Sequence, residues 1–167
     1  SVLSGSGIFL PHLHIPLQSG SDAVLPKMRR NYSTGDFGET CEKLFQEIPD
    51  INITSDVIVG FPTETDAEFA DTLAVMRKVE FDAAFMFKYS ERKGTIASKK
   101  YKDDVSDEDK KRRIIELNDL QKTITLKKNR AHIGKTFDVL VGHERPAQSP
   151  DRWQGRTERS EEHRLCF

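Results

Sequence analysis

The chain has 167 residues, 36% of them hydrophobic and 32% charged, and a net charge of −1. That length suits one ordinary domain, or a domain with a small appendage, and no run approaches the roughly 18 continuous apolar residues of a membrane span. Two distant cysteines, Cys41 and Cys166, exclude a disulfide framework and any metal or cluster site built from the chain's own thiolates, and they fit a reducing cytoplasm.

Ser1 to Leu10 has no basic flank ahead of its apolar residues, unlike a signal peptide. It also lacks an initiator Met, so the chain is expected to begin partway through a longer protein. Leu13, Ile15 and Leu17 alternate with His14, Pro16 and Gln18, which predicts a short strand. Gln18 to Asp22 is a polar turn, and Ser21 or Asp22 can cap a short helix through Val24, Leu25 and Met28. Thr34 is the expected cap of a second helix, with Phe37, Cys41, Leu44, Phe45 and Ile48 on one face and Pro49-Asp50 as its stop. Ile53 to Gly60 is a β-branched run, the mark of a strand buried on both faces. A turn at Gly60-Phe61-Pro62-Thr63 leads to a capping box, Thr65 with Glu68, and a helix whose apolar face is Phe69, Leu73, Met76 and Val79. A third strand is predicted over Phe81 to Tyr89, then a polar loop to Thr95.

Strand, loop and helix thus repeat, and helical connections imply parallel strands. Three such strands can form one side of a (β/α) barrel or part of an open sheet. In both, ligands gather at the C-terminal strand ends. From Ser106, whose side chain can cap with Asp109, a long amphipathic helix follows to about Ala131, ended by Gly134. The charge changes with it. Residues 1–98 carry 9 Lys/Arg against 14 Asp/Glu, residues 99–135 carry 12 against 7, and residues 136–167 carry 5 against 6. The basic block reads either as a solvated helix face or as a surface for phosphates. Thr136 to Val141, Gln154 to Glu158 and Arg164 to Phe167 read as short strands, with a loop over Pro146 to Asp151. The expected division is 1–98 for the βα unit, 99–133 for the helical linker and 134–167 for a small β module.

Several residues can carry chemistry. His12 and His14 share one strand face, a spacing that serves either a metal or internal hydrogen bonding. Gln18, Ser19, Gly20 and Ser21 offer an amide, two hydroxyls and a flexible backbone at a strand end. Asp56 stands inside an apolar run and must be paired, with an Arg for instance, or ligand-bound. Gly60 permits close backbone approach to a ligand. Lys88, Arg92 and Lys93, interleaved with Phe87 and Tyr89, could hold an RNA loop by phosphate contact and stacking, or else Phe87 is core and the cations are solvated.

Four ordered segments, His12 to Asp22, Met28 to Ser33, Thr54 to Thr65 and Phe85 to Thr95, together resemble the radical-SAM methylthiotransferases over nearly the whole chain. Gly134-Lys135-Thr136 to Val141, with Gly155-Arg156-Thr157, looks like the start of the TRAM module, a small RNA-binding β-barrel of that family. The resemblance implies the second half of a radical-SAM (β/α) barrel, a linker helix and an incomplete TRAM-like barrel. It also implies S-adenosylmethionine and two [4Fe–4S] clusters as cofactors. One cluster cleaves S-adenosylmethionine to a 5′-deoxyadenosyl radical that takes hydrogen from C2 of an adenine. The other supplies sulfur, and a further S-adenosylmethionine supplies the methyl group. The form Met86-Phe87-Lys88-Tyr89-Ser90 is most similar to the tRNA branch, which acts on a dimethylallylated adenosine beside the anticodon. The threonylcarbamoyl-adenosine branch, the ribosomal-protein branch and a non-catalytic RNA-binding module are the alternatives.

By this resemblance Gln18, Ser19, Gly20 and Ser21 match the fourth-strand motif beside the cofactor. Asp56, Val59 and Gly60 match the fifth-strand region lining S-adenosylmethionine, and Arg30 is a carboxylate or phosphate partner. Lys88, Arg92, Lys135 and Arg156 face RNA, and the expected partner is a tRNA anticodon stem-loop bound by a cytoplasmic monomer. The family's C-x-x-x-C-x-x-C motif and three further cluster cysteines are absent and are expected upstream of Ser1, so the chain alone is expected to be inactive. Lys93 also replaces the family's usual Pro.

Overall fold

The computed structural model describes residues 11–48, 50–141, 153–157 and 162–165. Ser1 to Leu10, Pro49, the loop over Pro146 to Asp151 and Cys166 lie outside them. Strand β1 (His12–His14), helix α1 (Thr34–Glu47), strand β2 (Asn52–Val59), helix α2 (Asp66–Val79) and strand β3 (Ala83–Lys88) follow in that order. The three strands form one parallel sheet, β1-β2-β3. His14 pairs with Thr54, which pairs with Ala83, and Ile58 pairs with Phe87. β1 is shorter than its alternation predicts because the chain leaves the ladder at Ile15 and rejoins it only at a bridge between Gln18 and Val57.

Local signals place the helices. Ser33 caps α1 in a reciprocal box with Asp36, one residue before the expected Thr34. Thr65 and Glu68 do the same for α2 as predicted. Phe45 is 39% exposed, so the α1 face that packs inward is Phe37 and Cys41, with Leu44 and Ile48 half-buried beside them. The predicted helix after Asp22 is a run of turns over residues 22–29, with Ser21 Oγ accepting from Ala23 N.

Beyond β3 and the predicted loop to Thr95 come a short helix α3 (Ile96–Lys100), for which the sequence reading named no element, and the long helix α4 (Asp107–Arg130), capped by Ser106. Strands β4 (Val139–Val141), β5 (Trp153–Thr157) and β6 (Glu162–Leu165) form a separate antiparallel sheet, each offset by up to three residues from its predicted bounds.

The pleat divides the first sheet into two faces. Ile53, Val57 and Val59 point to the helix side and are fully buried with Phe69, Met76, Phe81 and Leu117. On the other face Thr54, Asp56 and Ile58 lie beside Phe85 and Phe87, which are 57% and 51% exposed. β2 therefore is not buried on both faces, and Phe87 is not core.

Helix α4 is not a freely solvated basic face. Leu117 and Ile124 are buried, and Gln121 donates to the carbonyl of Phe81 at 2.8 Å. Lys110 and Arg113 are each 3% exposed. Six of its basic residues are matched by carboxylates: Lys110 by Asp103, Arg112 by Asp66 and Asp109, Arg113 by Glu64, Lys122 by Asp119, Lys127 by Glu80 and Lys128 by Asp82. Half of the twelve cations in the basic block are thus matched, and Lys110, Arg112, Arg113, Lys127 and Lys128 reach carboxylates outside the helix and help seat it.

Candidate cofactor and nucleic-acid site

Two adjoining hollows lie at the C-terminal ends of the three strands. The larger, about 500 Å³, is lined by Gln18, Asp56, Phe87, Lys88, Ser90 and Arg92 among others. The smaller, about 320 Å³, is lined by Lys27, Met28, Arg29, Arg30 and Phe61. Gln18, Ile58, Tyr89, Thr95 and Ala97 belong to both.

Gln18 stands at the junction, and its backbone is unusual. Its φ is 64°, the left-handed region that costs a non-glycine on the order of 1–3 kcal/mol. The neighbouring strand holds it there. Gln18 N donates to the Asp56 carbonyl at 2.8 Å, and its own carbonyl accepts from Ile58 N at 2.9 Å. A conformation fixed on both sides aims the amide into the hollows, where it can donate and accept at once.

Asp56 is paired with a histidine, not with the arginine that burial alone would call for. Its Oδ2 lies 3.4 Å from His14 Nε2, while His14 Nδ1 lies 3.0 Å from Thr54 Oγ1. His12 Nε2 reaches the same hydroxyl at 3.2 Å. The two histidines therefore share a hydrogen-bonding partner, and among the described residues no three His, Cys, Asp or Glu are grouped to hold a metal. Asp56, Lys88 and Arg92 all line the larger hollow. A hollow lined by one carboxylate and two cations suits a ligand carrying both charges, such as the ammonium and carboxylate of an amino acid.

The remaining predicted residues lie elsewhere. Ser19 Oγ accepts from Ser21 N, and Ser21 Oγ accepts from Ala23 N, so both hydroxyls hold the turn. Gly20 is pressed against α2: a Cβ there would stand 2.4 Å from the Thr72 Cα. Val59 is buried on the helix side. Gly60, with φ +69°, is covered by α4, where a Cβ would meet Lys110 Cγ at 2.3 Å. None of these five lines either hollow. Lys135 is exposed after α4, and Arg156 lies on β5, paired in register with Leu140.

Gly60 still matters to the site, through its neighbours. Its N–H donates to Glu64 Oε2 at 2.6 Å, and the same oxygen accepts from Arg113 at 2.7 Å. Burial pushes the Glu64 carboxyl above its usual range despite these donors. The Lys110 ammonium sits 5.6 Å from the Tyr89 ring centroid, and that ring meets Phe61 edge-on at 5.2 Å. Burial, with the Asp103 and Glu91 charges nearby, pushes the Tyr89 phenol up. Helix α4 thus backs the wall formed by Phe61 and Tyr89.

Sequence reasoning missed Ile58, Lys27 and Arg29 as lining residues. For Ile58 a signal exists: it stands two residues from Asp56, so it shares that face of the strand.

Residues 2–76 match the Radical SAM superfamily. Along 95% of its length the chain is 45% identical to a protein of Bacillus velezensis named tRNA-2-methylthio-N(6)-dimethylallyladenosine synthase, of which it covers 31%. It is similar to proteins of the same name from Bacillus subtilis, at 44% identity over 95% of the chain and 31% of the relative, and from Caldicellulosiruptor saccharolyticus, at 49% over 78% and 27%. The chain therefore spans roughly three-tenths of the length of the curated relatives it matches.

Proposed function

We infer that this chain, whose residues 2–76 match the Radical SAM superfamily, supplies the cofactor-facing and RNA-facing wall of a tRNA methylthiotransferase that places a methylthio group on C2 of a dimethylallylated adenosine beside the anticodon. The observation that carries this reading is the convergence of Gln18, Asp56, Lys88 and Arg92 on one hollow at the tips of parallel strands, within a chain so similar to tRNA-modifying synthases.

The residues present fit S-adenosylmethionine. The larger hollow has the volume for a nucleoside, aromatic surface at Phe87 and Tyr89, and opposite charges for an amino-acid group. Gln18 would fix a ribose or adenine edge, Asp56 the ammonium, and Lys88 with Arg92 the carboxylate. When bound, the cofactor supplies the radical and methyl chemistry. The chain's own part is to orient it and to keep water from the reacting atoms. His14 holds Asp56 in place from below.

The described residues do not fit an iron–sulfur cluster. Cys41 is buried, and desolvation, with the Glu42 charge, pushes its thiol up to about 11, the reverse of what a thiolate ligand needs. No step through a cluster is assigned to these residues. In this reading the three parallel strands are one side of a (β/α) barrel, whose interior is the exposed face of Phe85 and Phe87. The β4–β6 sheet is part of a TRAM-like module that grips the anticodon stem-loop. In the same reading the enzyme works in the cytoplasm, where tRNA is modified.

The test is mass spectrometry of tRNA nucleosides from cells lacking the gene. Loss of the methylthiolated dimethylallyladenosine, with its unthiolated precursor accumulating, is expected. A normal level of that nucleoside would overturn the assignment. Loss of a methylthio group from threonylcarbamoyl-adenosine or from a ribosomal protein instead would move the chain to another branch.

A further inference from the structure

We propose that the smaller hollow is an oxyanion subsite that seats a backbone phosphodiester of the RNA, held by Lys27, Arg29 and Arg30. This rests on the function proposed above and adds to it the ligand class of that hollow. Charge compensation sets this hollow apart from the packed face of helix α4. On α4 the fold matches Lys110, Arg112, Arg113, Lys122, Lys127 and Lys128 with carboxylates. Around the smaller hollow it does the opposite: three cations line it and no carboxylate does. Among the described residues Arg29 and Arg30 have no ion-pair partner, and the Lys27 ammonium meets only the Thr63 hydroxyl, at 2.5 Å. The larger hollow, by contrast, sets Asp56 against Lys88 and Arg92. A mixed site suits a zwitterion, and an all-cationic site suits a phosphate.

The backbone that carries the two arginines is fixed. Arg30 N donates to the Leu25 carbonyl at 2.9 Å and Arg29 N to that of Pro26 at 3.0 Å, closing the turn in the manner of a helix end. Arg29 holds a φ of 61° to do so, at a position where glycine would be relaxed. Leu25 beneath is fully buried, which fixes the turn to the core. Three like charges at one cavity repel one another, and an anion relieves that repulsion. Met28, Phe61, Tyr89 and Ile96 give the same hollow an apolar wall, on which the ribose or base beside the phosphate can rest. The other source of such an oxyanion is the carboxylate of S-adenosylmethionine, and the experiment separates the two.

The experiment uses the full-length, cluster-loaded enzyme, as wild type, as Arg29→Gln/Arg30→Gln and as Arg29→Lys/Arg30→Lys. Binding of an anticodon stem-loop RNA is followed by fluorescence anisotropy across a salt series, and binding of S-adenosylmethionine by equilibrium dialysis. The Gln pair is expected to weaken RNA binding and to flatten the plot of log affinity against log salt by about 0.7 for each phosphate it no longer neutralises. Its affinity for S-adenosylmethionine should stay at the wild-type level, and the Lys pair should keep most of the wild-type slope. Arginine modification of the wild-type enzyme by phenylglyoxal provides a reading that needs no variant: RNA should protect Arg29 and Arg30, and S-adenosylmethionine should not. An unchanged salt slope in the Gln pair, or protection by S-adenosylmethionine alone, overturns the subsite while leaving the function standing. A wild-type enzyme that binds no RNA overturns the function itself.

Discussion

Replacing Arg113 with Met tests how helix α4 is held to the strand tips. Arg113 and Glu64 form an ion pair at 2.7 Å with side chains 4% and 1% exposed, so solvent screens it little. A second arm of Arg113 reaches Asp66 at 3.0 Å, and the guanidinium lies 5.6 Å from the Phe69 ring centroid. Without Arg113, Glu64 keeps Gly60 N–H as its one remaining hydrogen-bond donor in a buried setting. Breaking a buried pair from one side costs about 3–5 kcal/mol, because it strands the partner's charge. The pH dependence has a definite sign. Burial already raises the Glu64 carboxyl above its ordinary 4.5, so its ionised form opposes folding, and protonation as pH falls relieves that cost. Loss of Arg113 raises it further. The deficit of Arg113→Met should therefore be full at neutral pH and shrink as the solution is acidified toward the unfolded value. Urea denaturation followed by far-ultraviolet circular dichroism, at neutral and at mildly acidic pH, measures both. Glu64→Gln keeps an acceptor for Gly60 and should cost less, about 1–3 kcal/mol. The double variant should fall short of the sum of the singles. A loss below about 1 kcal/mol for Arg113→Met, well under the buried-pair range, or a deficit that grows in acid, would refute the account.

Two glycines and one cysteine give further tests. Gly20→Ala and Gly60→Ala should both destabilise, since the first Cβ meets the Thr72 backbone at 2.4 Å, and the second meets Cγ of the buried Lys110 at 2.3 Å from a φ of +69° that disfavours a side chain. Overpacking of this kind costs about 1–3 kcal/mol or more, and an unchanged thermal midpoint for either variant would reverse the reasoning. Cys41, fully buried with its thiol pushed up to about 11, should resist alkylation in the folded protein and react once denaturant is added. Rapid labelling of the native Cys41 peptide, read by mass spectrometry, would contradict its burial.

Local rules carried much of the fold. The caps at Thr65 and Ser106, the apolar spacing of α2 and the β-branched run of β2 each name an element, because each is a short-range relation between neighbours. What a strand's own sequence does not reveal is which of its faces remains bare. Val57, Ile58 and Val59 are chemically alike, yet Val57 and Val59 lie under helices while Ile58 lines both hollows. Asp56 resolves the ambiguity, since a half-exposed carboxylate fixes the phase of a period of two. The same phase sets Val59 behind the wall rather than on it, whereas Gly60, past the end of β2 with a positive φ, is covered by α4. The long-range pairs had no local signal. Nothing in the run Lys110-Lys111-Arg112-Arg113 says that the first and last are buried and the middle pair is not. Only the return of the helix across Gly60 and Glu64, some fifty residues earlier in the chain, decides it.

That return changes what the basic helix is. A helix whose cations were free would be a surface, and its salt dependence would belong to a partner. Here Lys110 spends its charge on Asp103 and the Tyr89 ring, and its stem lies over Gly60. The left-handed turn at Gly60 leaves room for that stem and points its N–H at Glu64, which Arg113 then clamps. The wall of Phe61 and Tyr89 is therefore supported from behind by side chains more than forty residues from Phe61. Among the described residues, Arg29, Arg30, Lys88 and Arg92 carry no ion pair and stand at the strand tips, in front of that wall. A polyanion drawn to this chain would then be attracted to the ends of the parallel strands as well as to the cations of the long helix that remain unpaired, such as Lys111 and Arg130.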